Sequence, residues 1–475
     1  MQHVFWDWKA HYSDEPVETV FDAMIAEFLL LSGSYVGSEE ATIAHHKVSN
    51  LNELVEKQRA LLAAAPRLQE YFQTIELPII PVLKQMEKNG IILDVAELRS
   101  VSAEIDAALA TLTETMKQEV GFEINLNSSV QVGTFLAEKL QVPLKKTKTG
   151  KYATNEAEIS QHAENVPFIQ KLLEYRELSK LRSTYIESLA SAVAADGRIH
   201  TTYSQVVAST GRLSSSNPNL QNIPASTGFG QKIKSCFKAA PGKILVSFDY
   251  SQQELRILAH LSKEDALLTA FQEQKDVHTT TAAQIFHVAY TEVTREQRMI
   301  AKTINFGVIY GMSSFGLSTQ LHIPVEAAQK FISEFYKTYP KIRSYYDTFL
   351  KNGVETGFVE TILGRRRFVF EHASQKTIDN ALRRVLINYP IQGSAADLMK
   401  KVMITIHHEV VTKNPECRLL LQIHDDLVFE VPDDAKFLEK FIPEVRAHMC
   451  RVYPLDVPIE VDVKYGTNWG EMKKL

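Results

Sequence analysis

Only three cysteines, Cys236, Cys417 and Cys450, occur in the 475 residues. They lie far apart with no Cys-x-x-Cys spacing, so neither a disulfide framework nor a zinc site is indicated. A reducing, cytoplasmic compartment is expected. No apolar run approaches the ~20 residues needed to cross a bilayer. The opening MQHVFWDWKAHYSDEP has neither the basic start nor the apolar core of a secretion signal, and no membrane partner is expected. No GxxxxGK[ST] loop occurs, which argues against a P-loop nucleotide site. An excess of positive charge is also missing: the net charge of −5 is unfavourable for a nucleic-acid partner.

What is present is more specific. The basic residues cluster in Lys145-Lys146-Thr147-Lys148-Thr149-Gly150-Lys151 and in Gly364-Arg365-Arg366-Arg367. Each is either a solvated loop or a contact for an anionic polymer. The stretch LVSFDYSQQELRILAHL, residues 245–261, begins as a buried strand over 244–248 and places Asp249 where that strand ends. Helical spacing of Leu255, Leu258, Ala259 and Leu261 follows. Asp249 is then either a helix cap or an acid aimed from a rigid element into a cleft.

The chain is long enough for roughly three domains. Residues 1–70 read as helical and acidic. Leu98, Val101, Ile105, Leu109 and Leu112 form the stripe of a long helix from Val95 to Val120, and a second runs from Val166 to about Ala194. The polar, Lys-rich connection between them makes an extended arm rather than a compact core. Residues 198–203 read as a strand, followed by the polar loop STGRLSSSNPNLQNIP, 209–224. So many side-chain amides beside one arginine suit phosphates, sugars and minor-groove edges.

In the helix from Thr294 to about Tyr310, the residues Arg298, Lys302, Phe306 and Tyr310 recur every four positions. Four residues turn about 400°, so they form one slowly drifting stripe. Cations followed by aromatics suit a nucleotide's phosphates and base; a salt-bridged surface with two buried rings is the plainer alternative. Gly307 and Gly311 fit a close approach by another molecule or a bending element. A hairpin follows at 358–368, then a long helix from about Gln375 to Glu409 that Pro390 kinks or interrupts. Two strand-like runs, 419–423 and 427–431, enclose His424-Asp425-Asp426. Adjacent carboxylates repel, and a divalent cation makes the pair sensible. Asp249 and Asp425 on separate strands could share two Mg²⁺ ions about 4 Å apart, as in-line phosphoryl displacement requires. Arg298 and Lys302 would neutralise a leaving polyphosphate.

These residues carry a resemblance. Asp249-Tyr250-Ser251-Gln252-Gln253-Glu254-Leu255-Arg256 resembles motif A of family A DNA polymerases, the bacterial DNA polymerase I type. Arg298, Lys302, Phe306, Gly307, Tyr310 and Gly311 match RxxxKxxxFGxxYG, that family's motif B. Gln422-Ile423-His424-Asp425-Asp426 resembles motif C, and TGRLSSSNPNLQNIP its primer-template loop.

The resemblance implies an α+β right-hand fold, with an antiparallel palm sheet and helical fingers and thumb. Its expected divisions are an exonuclease-like remnant over 1–74, thumb 75–196, palm 197–265 and 371–475, and fingers 266–370. It implies two Mg²⁺ ions, replaceable by Mn²⁺, held by Asp249, Asp425, Asp426 and the Tyr250 carbonyl. Arg298, Lys302, His278 and Gln252 would meet the triphosphate, with Lys302 also protonating the departing pyrophosphate. Phe306 would lie beside the sugar, Tyr310 near the templating base, and Glu254 against a 2′-hydroxyl. Arg212, Asn219, Gln221, Asn222, Arg384, Gln392 and His424 would contact primer, template or the nascent pair. The partners implied are primer-template DNA and dNTPs, with the protein monomeric.

The chain departs from the family pattern at three positions. Asp426 replaces the usual Glu and is one methylene shorter, Gln253 replaces an aliphatic residue, and Ser226 stands where an Arg is common. The N-terminal stretch resembles the latter part of the proofreading domain, with Asp7 at one of its acids. The earlier acidic motif and a Tyr-xxx-Asp motif do not occur. Proofreading and 5′ nuclease activity are therefore expected to be absent. A related RNA polymerase, a catalytically silent DNA-binding protein and a two-metal nuclease are the competing readings. Glu254 argues against the first, the retained acids and cations against the second, and the nucleotide stripe against the third.

Overall fold

The computed structural model describes residues 3–12, 15–34, 36–122, 124–224, 228–369 and 378–475. Ser226 and the expected start of the long helix at Gln375 lie outside them. The helix α1 (Val95–Val120) matches its expected bounds. Asp94 caps it by accepting from the Glu97 N–H at 3.0 Å, and Gly121 ends it with φ +74°. Against it packs α2 (Pro167–Lys180), which continues through a wider turn to Ser191. The expected coreless arm is corrected here. Its far end has an apolar cluster of its own, with Met116, Leu126, Phe135, Leu136, Phe168 and Leu172. Within the polar connection lies a short helix, Ser129–Thr134, whose apolar residues need a partner surface.

The strand β1 (Lys243–Tyr250) is two residues longer than the reading from Ile244 to Phe248 required at its far end, so Asp249 lies within the strand rather than beyond it. It is the centre of an antiparallel sheet completed by β2 (Arg418–Ile423), β3 (Asp426–Pro432), β4 (Val461–Gly466) and β5 (Lys473–Lys474), in the order β2-β3-β1-β4-β5. Alternation along β1 divides its residues between two faces. Val246, Phe248 and Tyr250 enter the main core, where Phe248 and Phe429 meet edge to face at 5.6 Å. On the opposite face Leu245 joins a second apolar cluster with Phe237, Leu420 and Val428, and Ser247 and Asp249 continue that face beyond it.

After β1 come α3 (Gln253–Ser262), α4 (Val277–Phe286) and α5 (Arg295–Ile309). Thr294 and Gln297 form a capping box at the start of α5. The helical stretch expected over 325–350 is two helices, Val325–Thr338 and Pro340–Thr356, because Pro340 opens the second. The hairpin pairs Phe358–Glu360 with Arg366–Phe368.

The helix α6 (Asn380–Ile406) runs through Pro390 without ending. It is buried on most sides, and Ser394 donates its hydroxyl to the Pro390 carbonyl, so packing overrides the missing N–H. Arg365 is neither a loop cation nor a surface contact. It is 2% exposed and pairs with Asp397 on α6 at 2.9 Å. The N-terminal residues form a further cluster around Trp8, Phe21, Tyr71 and Phe72. They join the rest through Tyr71 donating to Asp397 at 2.8 Å and through the Glu76–Lys400 pair at 2.6 Å.

Candidate active site

Strand register assembles the acids. Asp249 on β1 stands opposite Asp426 on β3 and Asp462 on β4. Opposed residues share a face, so three carboxylates cross the sheet in one row. Asp425 joins them from the turn between β2 and β3, where His424 takes φ +54°. The Tyr250 N–H donates to the Asp425 carbonyl at 3.1 Å, tying the two segments together.

Burial and mutual repulsion raise the Asp249 carboxyl above its ordinary range, Asp425 being the strongest neighbouring charge. Asp425 is raised chiefly by burial, and Arg212 opposes the rise. Asp426 is pushed up to about 6 by burial, although Ser247 donates a 2.7 Å hydrogen bond to it. Lys464 and Lys234 supply distant positive charge, and Lys474 pairs with Asp462 at 2.8 Å. The described residues contain no preformed cluster of three metal-ligating side chains. They do contain two half-buried carboxylates, Asp249 and Asp425, that no hydrogen bond or ion pair from another described residue satisfies. That donor set suits a hard divalent cation, which takes few carboxylates and completes its shell with water or phosphate.

The polar loop and α5 converge on Glu254, which is 6% exposed at the start of α3. Arg212 donates to one carboxylate oxygen at 2.6 Å and the Tyr310 hydroxyl to the other. Burial and the Glu254 charge together hold the Tyr310 phenol well above its ordinary range. On α5, Lys302 is exposed and Phe306 is half-buried against the His278 ring, 5.6 Å away. Arg298 makes a two-toothed pair with Asp276, at 3.1 and 2.7 Å. This pair and the Thr279 hydrogen bonds hold Asp276 down to about 2 despite its burial.

His278 is 3% exposed and takes the Asn305 amide at 2.9 Å. Gly311, at φ +62°, admits α6: a Cβ there would lie 2.7 Å from Ile387. At Gly311 the expected close approach is thus made by a helix of the same chain, whereas a Cβ at Gly307 would meet the Met312 sulfur at 3.1 Å.

A family model for DNA polymerase family A matches residues 95–471. The chain belongs to DNA polymerase family A. It is 43% identical over 418 residues to a thermostable DNA polymerase I of Thermus aquaticus, covering 87% of this chain and 50% of that protein. With DNA polymerase I of Pseudomonas aeruginosa the identity is 42% over 414 residues, covering 86% and 45%. The chain thus spans about half the length of the curated relatives it matches. A solved structure, the POL domain of Pol1 from M. smegmatis in complex with DNA primer-template and dNTP, superposes with a TM-score of 0.89. It is 35% identical, and the match covers 94% of this chain and 82% of that one. The mixed helix-and-sheet architecture is accordingly the α+β right-hand polymerase fold.

Within this family A fold the expected site residues separate into two groups. Asp249, Tyr250, Asp425 and Asp426 gather at one end of the sheet, and Arg212, Glu254 and Tyr310 meet beside them. Gln221 is engaged with the end of β2, donating to the Gln422 carbonyl at 3.2 Å. Asn219, Asn222 and His424 are exposed, and Gln392 is half-buried. Arg384 donates to the Asn380 carbonyl at 3.2 Å along its own helix. Gln252 lies at φ +53° and its side-chain oxygen has no partner.

Four residues near these groups were not singled out from sequence: Asp462, Asp276, Asn305 and Ser247. Asp462 had one visible signal, an acid alternating with Val461 and Val463 on a strand. Its closeness to Asp249 depends on strand pairing that no local pattern encodes.

Proposed function

We propose that this chain is a template-directed DNA polymerase that adds deoxynucleotides to a primer 3′-hydroxyl and releases pyrophosphate by two-metal-ion nucleotidyl transfer. One observation carries the reading. The unsatisfied acids Asp249 and Asp425 adjoin Glu254, where the polar loop (Arg212) and the nucleotide-type helix α5 (Tyr310) meet. The M. smegmatis POL domain, solved in complex with DNA primer-template and dNTP, supports the same substrates.

Asp249 and Asp425 would hold Mg²⁺, with Asp426 and the Tyr250 carbonyl beside them. When bound, the ions would activate the primer hydroxyl and neutralise triphosphate charge. Arg298 and Lys302 would bind the triphosphate, and Lys302, exposed on α5, would give a proton to the departing pyrophosphate. Glu254, held rigid from both oxygens, would exclude a 2′-hydroxyl. Phe306 would lie against the sugar. Arg212, Asn219, Gln221, Asn222, Arg384, Gln392 and His424 would follow primer and template.

In this reading 75–196 is the thumb, 197–265 with 371–475 the palm, and 266–370 the fingers. Residues 1–74 form an exonuclease-like remnant without proofreading, since Asp7 accepts from the Ala10 N–H and Asp22 caps a helix.

Primer extension on a DNA template with Mg²⁺, comparing dNTPs with rNTPs in the parent and in Asp249→Ala, tests the proposal. Extension with dNTPs that disappears in the variant is expected. No extension by a folded parent that still binds primer-template would favour the silent DNA-binding reading.

A further inference from the structure

We propose that Asn305 is a positioning residue that fixes the His278 imidazole as a neutral ring with its only hydrogen on Nε2. The geometry is local and buried. Asn305 on α5 is 1% exposed and His278 on α4 is 3% exposed. The Asn305 Nδ2 lies 2.9 Å from His278 Nδ1. A side-chain NH₂ can only donate, so Nδ1 must be the acceptor, and a neutral imidazole then carries its proton on Nε2. Phe306, the next residue along α5, lies 5.6 Å from the same ring at 45° and limits its rotation. Among the described residues Nε2 has no hydrogen-bond partner within the protein.

The surroundings also keep the ring neutral. Burial lowers the His278 pKa to about 4, Arg298 and Lys302 add to the lowering, and Asp276 opposes it. Two cations already stand beside the ring, and a third charge in this buried position would be costly.

The functional consequence rests on the polymerase reading, in which α5 meets a triphosphate. There, Nε2–H is an obligate donor to an anionic oxygen and adds no charge to the site. In the other tautomer Nε2 would turn a lone pair towards that oxygen and repel it. Asn305 thus decides the sign of the contact without touching the substrate.

The tautomer can be read directly from the full chain labelled with ¹⁵N-histidine, by long-range ¹H–¹⁵N correlation at pH 7. A protonated Nε2 and an unprotonated Nδ1 are expected for His278. A protonated Nδ1 in the parent would overturn the inference without recourse to any variant.

In Asn305→Asp the carboxylate can only accept, and the ring is expected to carry hydrogen on Nδ1. Primer extension should then show the KM for dNTP raised by about 10-fold or more, the loss of one hydrogen bond to a charged group, with primer-template affinity unchanged. The change should match that of His278→Ala, and the double variant should add nothing further. A tautomer change without a KM change would overturn the positioning role. Failure of the parent to extend primers at all would count against the polymerase reading, while the ¹⁵N spectrum would still report on Asn305.

Discussion

Arg212 Nη2 stands 2.6 Å from Glu254 Oε1, joining the polar loop after residue 209 to the first turn of α3. The second carboxylate oxygen accepts from Tyr310, so Glu254 is held by two segments that are distant in sequence. A side chain so restrained makes a rigid wall. Glu254→Ala is expected to raise the kcat/KM for rNTP relative to dNTP by about 10- to 200-fold, the range a shaped pocket provides against one added group. Steady-state comparison of the two nucleotides checks this. An unchanged ratio would remove Glu254 from sugar selection.

Asp426 gives a pH dependence of definite sign. Its pKa is raised from 3.8 to about 6, so the folded protein binds this proton more tightly than the unfolded chain. The contribution to stability is full below the ordinary pKa and declines as pH rises through about 6. Allowing for its partial exposure, Asp426→Asn should exceed the parent by about 1–2 kcal/mol at pH 7.5 in EDTA and by less than about half of that at pH 4.5, the gap closing only below the ordinary carboxyl range. Urea denaturation at the two pH values is the measurement. A gap of the same size at both would refute the assignment.

The buried Arg365–Asp397 pair ties the hairpin to α6. Arg365 also donates to the Tyr389 hydroxyl at 3.0 Å and to the Thr210 carbonyl. Arg365→Leu leaves Asp397 uncompensated and should destabilise the fold by about 3–5 kcal/mol. Asp397→Asn in the same chain should recover part of that loss, because the stranded charge is gone. Strict additivity in a double-variant cycle would show that the two are uncoupled.

Gln253 is 2% exposed, and neither atom of its amide finds a partner among the described residues. Removing an unsatisfied buried amide is stabilising, so Gln253→Ile should gain about 1–2 kcal/mol in denaturant. It should also alter misincorporation, since this position begins the helix that carries Glu254. A loss of stability would mean the amide is bonded in solution; an unchanged error rate would sever Gln253 from base selection.

Much of the site was legible because its signals are local. Helical period four put Arg298, Lys302, Phe306 and Tyr310 on one stripe, and α5 runs from Arg295 to Ile309 with Tyr310 as its C-cap. The caps Asp94 and Thr294 and the breaker Gly121 set helix ends through bonds within four residues. Pro390 does not end α6, because the cost of a missing N–H is local whereas the burial that outweighs it comes from elsewhere in the chain. Arg365 misled for a related reason: three consecutive arginines look solvent-facing until Asp397, 32 residues on, is folded against one of them.

Local pattern alone shows the long helices and the strands that carry the acids, where acids and cations lie along them, and which family they resemble. It misses the paired strands His3–Phe5 and Val20–Asp22 in the stretch read as helical. Only the tertiary structure decided which of those groups meet. The Asp249–Asp426–Asp462 row follows from strand register, the clamp on Glu254 from three segments converging, and the neutrality of His278 from burial beside two cations. Pairing and desolvation depend on what the rest of the chain places within a few ångströms, and no spacing along the sequence encodes that.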